Sequence, residues 1–210
     1  MIVEQGKLHV PELAHQFVLA SISPRRREIL SQLGFDFRVI PSAVNESQLP
    51  GEAPGAYALR MASAKAEDVA RRLHGSAEPA FVLGADTVVV IQGQVLGKPT
   101  NHAEARRMLG LLSGRAHEVI TAVALRRDDS EYRDEIAVST LVWFRELDAG
   151  AIDGYVASGE GSDKAGSYAI QGLGAGLVSR IEGSYSNVVG LPATHTLQMF
   201  MRAGLLKRWP

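Results

Sequence analysis

Apolar positions recur along this chain in two rhythms. The strongest segment is the run AFVLGADTVVVI at 80–91, almost continuously apolar and broken by one charge, Asp86. A run of that kind predicts a strand buried on both faces. Residues 17–20, FVLA, predict a first strand, and alternating Phe35, Phe37 and Val39 in FDFRVIPS predict a second. HEVITAVAL and EIAVSTLVWF predict two more, joined by RRDDSEYRD, which is expected to form a solvated hairpin tip. The other rhythm is helical. Ala58, Met61, Ala62, Val69 and Leu73 make one apolar stripe over 56–73. Shorter helices are predicted over 24–33 and 101–112, from Leu147-Asp148 through Val156, and from near Pro192 onward.

Local punctuation supports these limits. Ser23 suits an N-cap and Pro24 the first helical position, while Gly34 suits the left-handed residue that closes a helix. Asn101 and Glu104 form a capping-box pattern, Gly114 ends that helix, and Gln92-Gly93 marks a turn. Strands, hairpins and intervening helices together read as an α/β chain of 210 residues, one large domain or two small lobes.

Several charges disagree with this pattern. Arg25, Arg26 and Arg27 crowd the first turn of a helix, whose N-terminus already carries partial positive charge. They fit there if an anion such as phosphate binds the free N–H groups, with arginine supplying bidentate bonds; the plain alternative is three side chains in water. Lys65 sits in the middle of the 56–73 stripe, either snorkelling from the core edge or aimed into a cleft. Asp86 inside its strand requires a partner, because an unpaired buried carboxylate is costly. Four glycines gather around Lys164 and Gln171 in DKAGSYAIQGLGAGLV, yet their spacing matches neither the dinucleotide nor the Walker fingerprint. EGSYSNVVGLP predicts a second loop of this kind.

Composition narrows the function. Net charge is −1 from 22 basic and 23 acidic residues, so no global basic field suits a nucleic acid. The chain has no cysteine, which removes disulfides and thiolate chemistry. Residues 1–16 show no apolar signal segment, and no run is long enough to span a bilayer, which together lead to the expectation of a cytoplasmic protein with no membrane partner.

ASISPRRREIL, GADTVVV followed by LGKP, LSGRAHEVITAVAL, TLVWFREL, DKAGSYAIQGLGAGLV and EGSYSNVVGLP occur in this order. In that order they resemble the Maf family of nucleoside triphosphate pyrophosphatases, over about residues 17–203, with 1–16 as a lead-in and 17–210 as one domain of two lobes. The resemblance implies a mixed, curved sheet with a deep central cleft, similar to inosine triphosphate pyrophosphatases. It implies water attack on the α-phosphorus of a nucleoside triphosphate, giving the monophosphate and pyrophosphate with Mg²⁺ or Mn²⁺ present. Asp86 matches the family's catalytic aspartate, and Asp86 with Glu46 would hold the metal. Ser23, Arg25, Arg26, Lys65, Lys98 and Lys164 would bind phosphates.

Arg25, Thr87 and Gln171 occupy the positions tied to base choice, and SPRR, ADT and KAGxYxIQG resemble the dTTP/UTP branch rather than the 7-methyl-GTP branch. A glutamine amide there could pair with the N3–H and carbonyl edge shared by uracil and thymine. Two positions depart from the family pattern: Asn45 stands where a carboxylate is usual, and Ala169 where glycine is common. A homodimer is the expected assembly. The rival class is a regulatory nucleotide-binding protein acting on cell division, which would not need Asp86.

Overall fold

The computed structural model describes residues 13–209. Its strands are β1 (Gln16–Leu19), β2 (Arg38–Val39), β3 (Ala80–Ile91), β4 (Gln94–Leu96), β5 (Ala116–Arg127), β6 (Arg133–Phe144) and β7 (Val178–Glu182). They form one seven-stranded sheet in the order β2-β1-β3-β5-β6-β7, with β4 also paired to β3. β1 runs parallel to β2 and β3, and every other pairing is antiparallel, so the sheet is mixed. The helices are α1 (Pro24–Gln32), α2 (Pro54–Leu73), α3 (His102–Leu112), α4 (Ala149–Ala157), α5 (Tyr185–Val189) and α6 (Ala193–Arg202). No described helix is long and apolar enough to cross a membrane.

β3 organises the core through side-chain alternation. Val82, Val88 and Val90 pack under the alanine-rich face of α2, with Ala58, Ala62, Ala66 and Val69. On the opposite face, Phe81, Leu83 and Ala85 join Leu30, Leu197 and Phe200 from α1 and α6. Farther along that face, Val89 and Ile91 join Met108, Leu109 and Val156 from α3 and α4. The second face therefore carries two separate clusters, and Thr87 lies between them.

The same stretch has an open edge. β1 pairs with β3 as far as Leu19↔Leu83, and β4 begins at Val89↔Leu96. From 84 to 88 only β5 flanks β3. Interruption of the strand on that side makes room for a cleft between the clusters.

Gly84 sets how near α2 can come. A Cβ there would lie 2.2 Å from the carbonyl oxygen of Ala62 and 2.7 Å from the nitrogen of Ala66. Only glycine lets the helix backbone rest on the strand in this way. Lys65, one turn along that helix face, is thereby brought down onto Asp86.

Several elements differ from the sequence reading. α2 starts at Pro54, two residues earlier than the stripe implied. Phe35 and Phe37 do not continue the second strand. Phe35 instead follows α1 directly, its N–H bonded to the carbonyl of Leu30 and its ring against Phe17 and Phe200. β4 completes a hairpin at the expected Gln92-Gly93 turn, β7 adds an edge strand, and α5 folds one helical turn out of the predicted EGSYSNVVGLP loop. Gly34 and Gly114 take left-handed φ of 83° and 65°, as expected of helix-closing residues. The β5–β6 tip is not wholly solvated: buried Asp128 accepts the Ala80 N–H at 2.9 Å and pins the hairpin to the start of β3. At the other end Leu13 bridges Leu206 and Gln16 already belongs to β1, so the sheet reaches into the expected lead-in. Residues 1–12, which carry most of that lead-in and of the signal-peptide reading, lie outside the described residues.

Candidate active site

The cleft at the open edge of β3 has a volume of about 610 Å³. Ser23, Arg25, Arg26, Glu46, Lys65, Asp86, Thr87, Lys98, Lys164 and Gln171 all line it. They come from six separate segments, so the fold gathers what the sequence disperses.

Asp86 and Lys65 form its charged half. Lys65 Nζ lies 2.7 Å from Asp86 Oδ1 and 2.7 Å from Glu46 Oε1. The lysine is only 7% exposed, so of its two sequence readings the cleft-facing one describes this structure. The strand-embedded carboxylate has the partner its burial demands. Partial burial works to raise the Glu46 carboxyl, but the Lys65 bond and the charges of Lys65, Lys98 and Arg26 outweigh it and hold the group below its ordinary value. Tyr57 donates its hydroxyl to the Glu46 carbonyl at 2.6 Å and so fixes the loop that carries this acid. Burial, then the charges of Asp86 and Glu46, push the Tyr57 phenol above its ordinary value, which keeps it a donor. Asn45 Oδ1 accepts the Ser47 N–H and hydroxyl in a local turn, which accounts for both its bonds without reference to the cleft.

Hard divalent cations take carboxylate oxygens and, for Mg²⁺, one or two carboxylates plus substrate phosphates suffice. Asp86 Oδ2 and Glu46 Oε2 have no hydrogen-bond partner among the described residues, so this pair fits such an ion. No group of three or more metal-ligating side chains occurs among the described residues, so an ion held here would draw its remaining ligands from substrate and water.

Thr87 and Arg26 form the other half, on the opposite face of the strand. Arg26 Nε donates to the Gly190 carbonyl at 2.9 Å, Nη1 to Ser21 Oγ at 3.0 Å and Nη2 to Thr87 Oγ1 at 3.0 Å. Burial lowers this guanidinium from its ordinary value and Asp86 pulls it back up. Of five N–H groups, three are spent on protein and one on each terminal nitrogen remains. The three arginines thus divide: Arg25 is half-buried on the cleft wall, Arg26 is buried, and Arg27 is exposed outside it. Ser23 occupies the N-cap position, but its side chain makes no cap bond; its N–H goes to Ser21 Oγ at 3.2 Å. The expected side-chain cap is therefore absent.

Lys98 and Lys164 also line the cleft. Lys98 is exposed, and Lys164 pairs with neighbouring Asp163. Gln171 stands at the head of a glycine-rich 3-10 turn, Gly172–Gly176. That turn is clamped by Glu160, which no local pattern singles out. Its carboxylate accepts Leu173 N at 2.9 Å, Gly174 N at 2.8 Å and the Tyr155 hydroxyl at 3.0 Å. Burial works to raise Glu160, and the Gly174 and Leu173 N–H bonds outweigh it, leaving the carboxyl below its ordinary value. Tyr155 in turn accepts the Ala169 N–H at 3.1 Å, so both ends of the Gln171 segment are tied to one pair. Gly172 has φ 62°, and a Cβ there would lie 2.3 Å from Glu160 Oε2.

Thr121 is a second residue without an obvious signal, since threonine is at home in an apolar strand. Asp86 broke its run visibly. Thr121 did not, although its hydroxyl lies 2.9 Å from that of Thr87.

A family model described as Maf-like protein matches residues 16–203. The dTTP/UTP pyrophosphatase of Anaeromyxobacter sp. (strain Fw109-5) is 50% identical over 200 residues, 94% of this chain and 94% of that one. The dTTP/UTP pyrophosphatase of Geotalea uraniireducens (strain Rf4) is 47% identical over 190 residues, 90% of this chain and 96% of that one. Among solved structures, a HAM1 protein from Coxiella burnetii overlaps with TM-score 0.46 at 16% identity, covering 90% of this chain and 99% of that one. An overlap at that level decides nothing about the chemistry.

Proposed function

Because the chain belongs to the Maf-like family, we propose that it is a nucleoside triphosphate pyrophosphatase that converts dTTP and UTP to the monophosphate and pyrophosphate. The observation that carries this reading is the Glu46–Lys65–Asp86 cluster, set at the open edge of β3 in a cleft also lined by Arg25, Arg26, Lys98 and Lys164. Phosphoryl transfer asks mainly for positioning and charge stabilisation. The cations hold the triphosphate. Asp86 orients the attacking water and takes its proton. The new bond forms between water oxygen and the α-phosphorus, and the bond from that phosphorus to the bridging oxygen breaks, with pyrophosphate leaving. Lys65 holds Asp86 in place, with Glu46 as its second anchor. A Mg²⁺ or Mn²⁺ ion on Asp86 and Glu46 would neutralise phosphate charge when bound.

Thr87, Gln171 and Arg25 face the base, with Gln171 supplying its amide donor to a pyrimidine carbonyl. A regulator that only bound nucleotide would have no use for a paired carboxylate in an apolar strand. The test is pyrophosphate release from dTTP, UTP, CTP and 7-methyl-GTP. Turnover of dTTP and UTP well above the others is expected. Preference for 7-methyl-GTP would overturn the base assignment alone, and no pyrophosphate from any of them would overturn the enzyme reading. The expected homodimer is checked separately by light scattering.

A further inference from the structure

We infer that Thr121, a buried residue outside the cleft wall, is a positioning residue that fixes Thr87 as a hydrogen-bond acceptor and thereby selects bases presenting a ring N–H. The inference deepens the proposed function and rests on its placement of Thr87 toward the base.

Thr121 is 0% exposed. Its Oγ1 lies 2.9 Å from the backbone carbonyl oxygen of Asn187 and 2.9 Å from Thr87 Oγ1. A carbonyl can only accept, so the one proton of Thr121 goes to Asn187. That carbonyl also takes the Gly190 N–H at 3.0 Å, which fills its second lone pair and holds the α5 end in register. Thr121 Oγ1 must then accept from Thr87, and the only hydroxyl proton of Thr87 is turned inward, away from the cleft. Arg26 Nη2 donates to Thr87 Oγ1 at 3.0 Å. A hydroxyl oxygen has two acceptor positions. Arg26 fills one, and the other is left for the cleft that Thr87 lines.

Thr87 can thus offer a ligand an acceptor and no donor. Uracil and thymine carry an N–H at ring position 3, where cytosine carries a bare nitrogen that itself needs a donor. Facing cytosine, the fixed Thr87 would set lone pair against lone pair and leave a buried polar atom unpaired, which is how a polar site rejects a near-isostere. The polarity belongs to the chain Asn187 carbonyl, Thr121, Thr87, and Thr87 alone does not determine it.

The experiment compares kcat/KM for UTP and CTP in the wild type, Thr121→Val, Thr121→Ser, Thr87→Val and the Thr87→Val/Thr121→Val double variant. Thr121→Val should lower the UTP:CTP ratio on the order of tenfold, because Thr87 becomes free to turn its proton outward. Thr121→Ser, which keeps the hydroxyl, should hold the wild-type ratio. The double variant should match Thr87→Val, since Thr121 acts only through Thr87. If Thr121→Val does not fold, Thr121→Ala makes the same comparison. A ratio unchanged in Thr121→Val, or both substrates lowered equally, overturns the inference while Thr87→Val still collapses the ratio. A ratio unchanged in Thr87→Val overturns instead the base-facing placement of Thr87 on which the inference rests.

Discussion

Asp86 and Thr87 are neighbours in one strand, yet they belong to different machines. Asp86 points to the α2 face, where its partners are charged: Lys65 at 2.7 Å, and through it Glu46. Thr87 points to the opposite face, where its partners are a buried guanidinium and a second hydroxyl. Both reach one cleft because β3 lacks a neighbour on one edge between Leu83 and Val89. Strand alternation separates two kinds of partner, and the open edge brings both residues to one cleft. The charged half suits bond breaking, which every nucleotide shares. The hydroxyl half suits choice among bases, which needs fixed donors and acceptors.

The largest effect that would test this division is on the charged side. Asp86→Asn removes the carboxylate but keeps the shape, and should lower kcat on the order of 10²-fold or more. Near-normal turnover in a folded variant would remove the charged half from the chemistry. Next is the contact that brings the halves to their depth. Gly84→Ala places a Cβ against the α2 backbone at 2.2 Å, so the helix must lift. A loss of about 3 kcal/mol in denaturant unfolding is expected, with a fall in kcat for every substrate as Lys65 is drawn from Asp86. Unchanged stability would mean that α2 does not rest on β3 as described.

Smaller effects should follow on the base-facing side. Glu160→Gln keeps one acceptor oxygen where three donors converge, so the Gln171 turn loosens. KM for UTP should rise roughly tenfold or less while kcat changes little, as one or two hydrogen bonds weaken. A fall in kcat with KM unchanged would place Glu160 with the charged half. The smallest effect belongs to neither half. Burial pushes the His117 imidazole down to about 4. Its unfolded value lies near 6.5, so the unfolded chain binds more protons between those values. Stability from this group is complete above pH 6.5 and is lost as pH falls toward 4, about 1 kcal/mol of it between pH 7.5 and 5.5. Denaturant unfolding of His117→Phe at both pH values should show that slope reduced, with base preference untouched.

What the sequence disclosed follows from what was chemically conspicuous. Asp86 broke an apolar run and Lys65 broke an apolar stripe, and a charge in such a place needs a partner; the structure makes them each other's. Helix limits at Pro24, Gly34 and Gly114 were legible because capping and left-handed turns depend on local residue types. The hydroxyl of Thr121 and the carboxylate of Glu160 were not, because threonine suits a strand and an acid suits a surface, and only tertiary contact gives either a role. β7 and α5 escaped for a related reason: each is five residues long and rests on β6 and β5 rather than on a pattern of its own. The open edge of β3 is a property of pairing, and no single segment encodes it.

The division is tested most directly by measuring kcat/KM for dTTP, UTP and CTP in Asp86→Asn and Thr87→Val side by side. Asp86→Asn should scale all three down by one common factor and preserve their ranking, while Thr87→Val should collapse the preference of dTTP and UTP over CTP. A changed ranking in Asp86→Asn, or a uniform loss in Thr87→Val, would contradict the assignment of chemistry and choice to opposite faces of one strand.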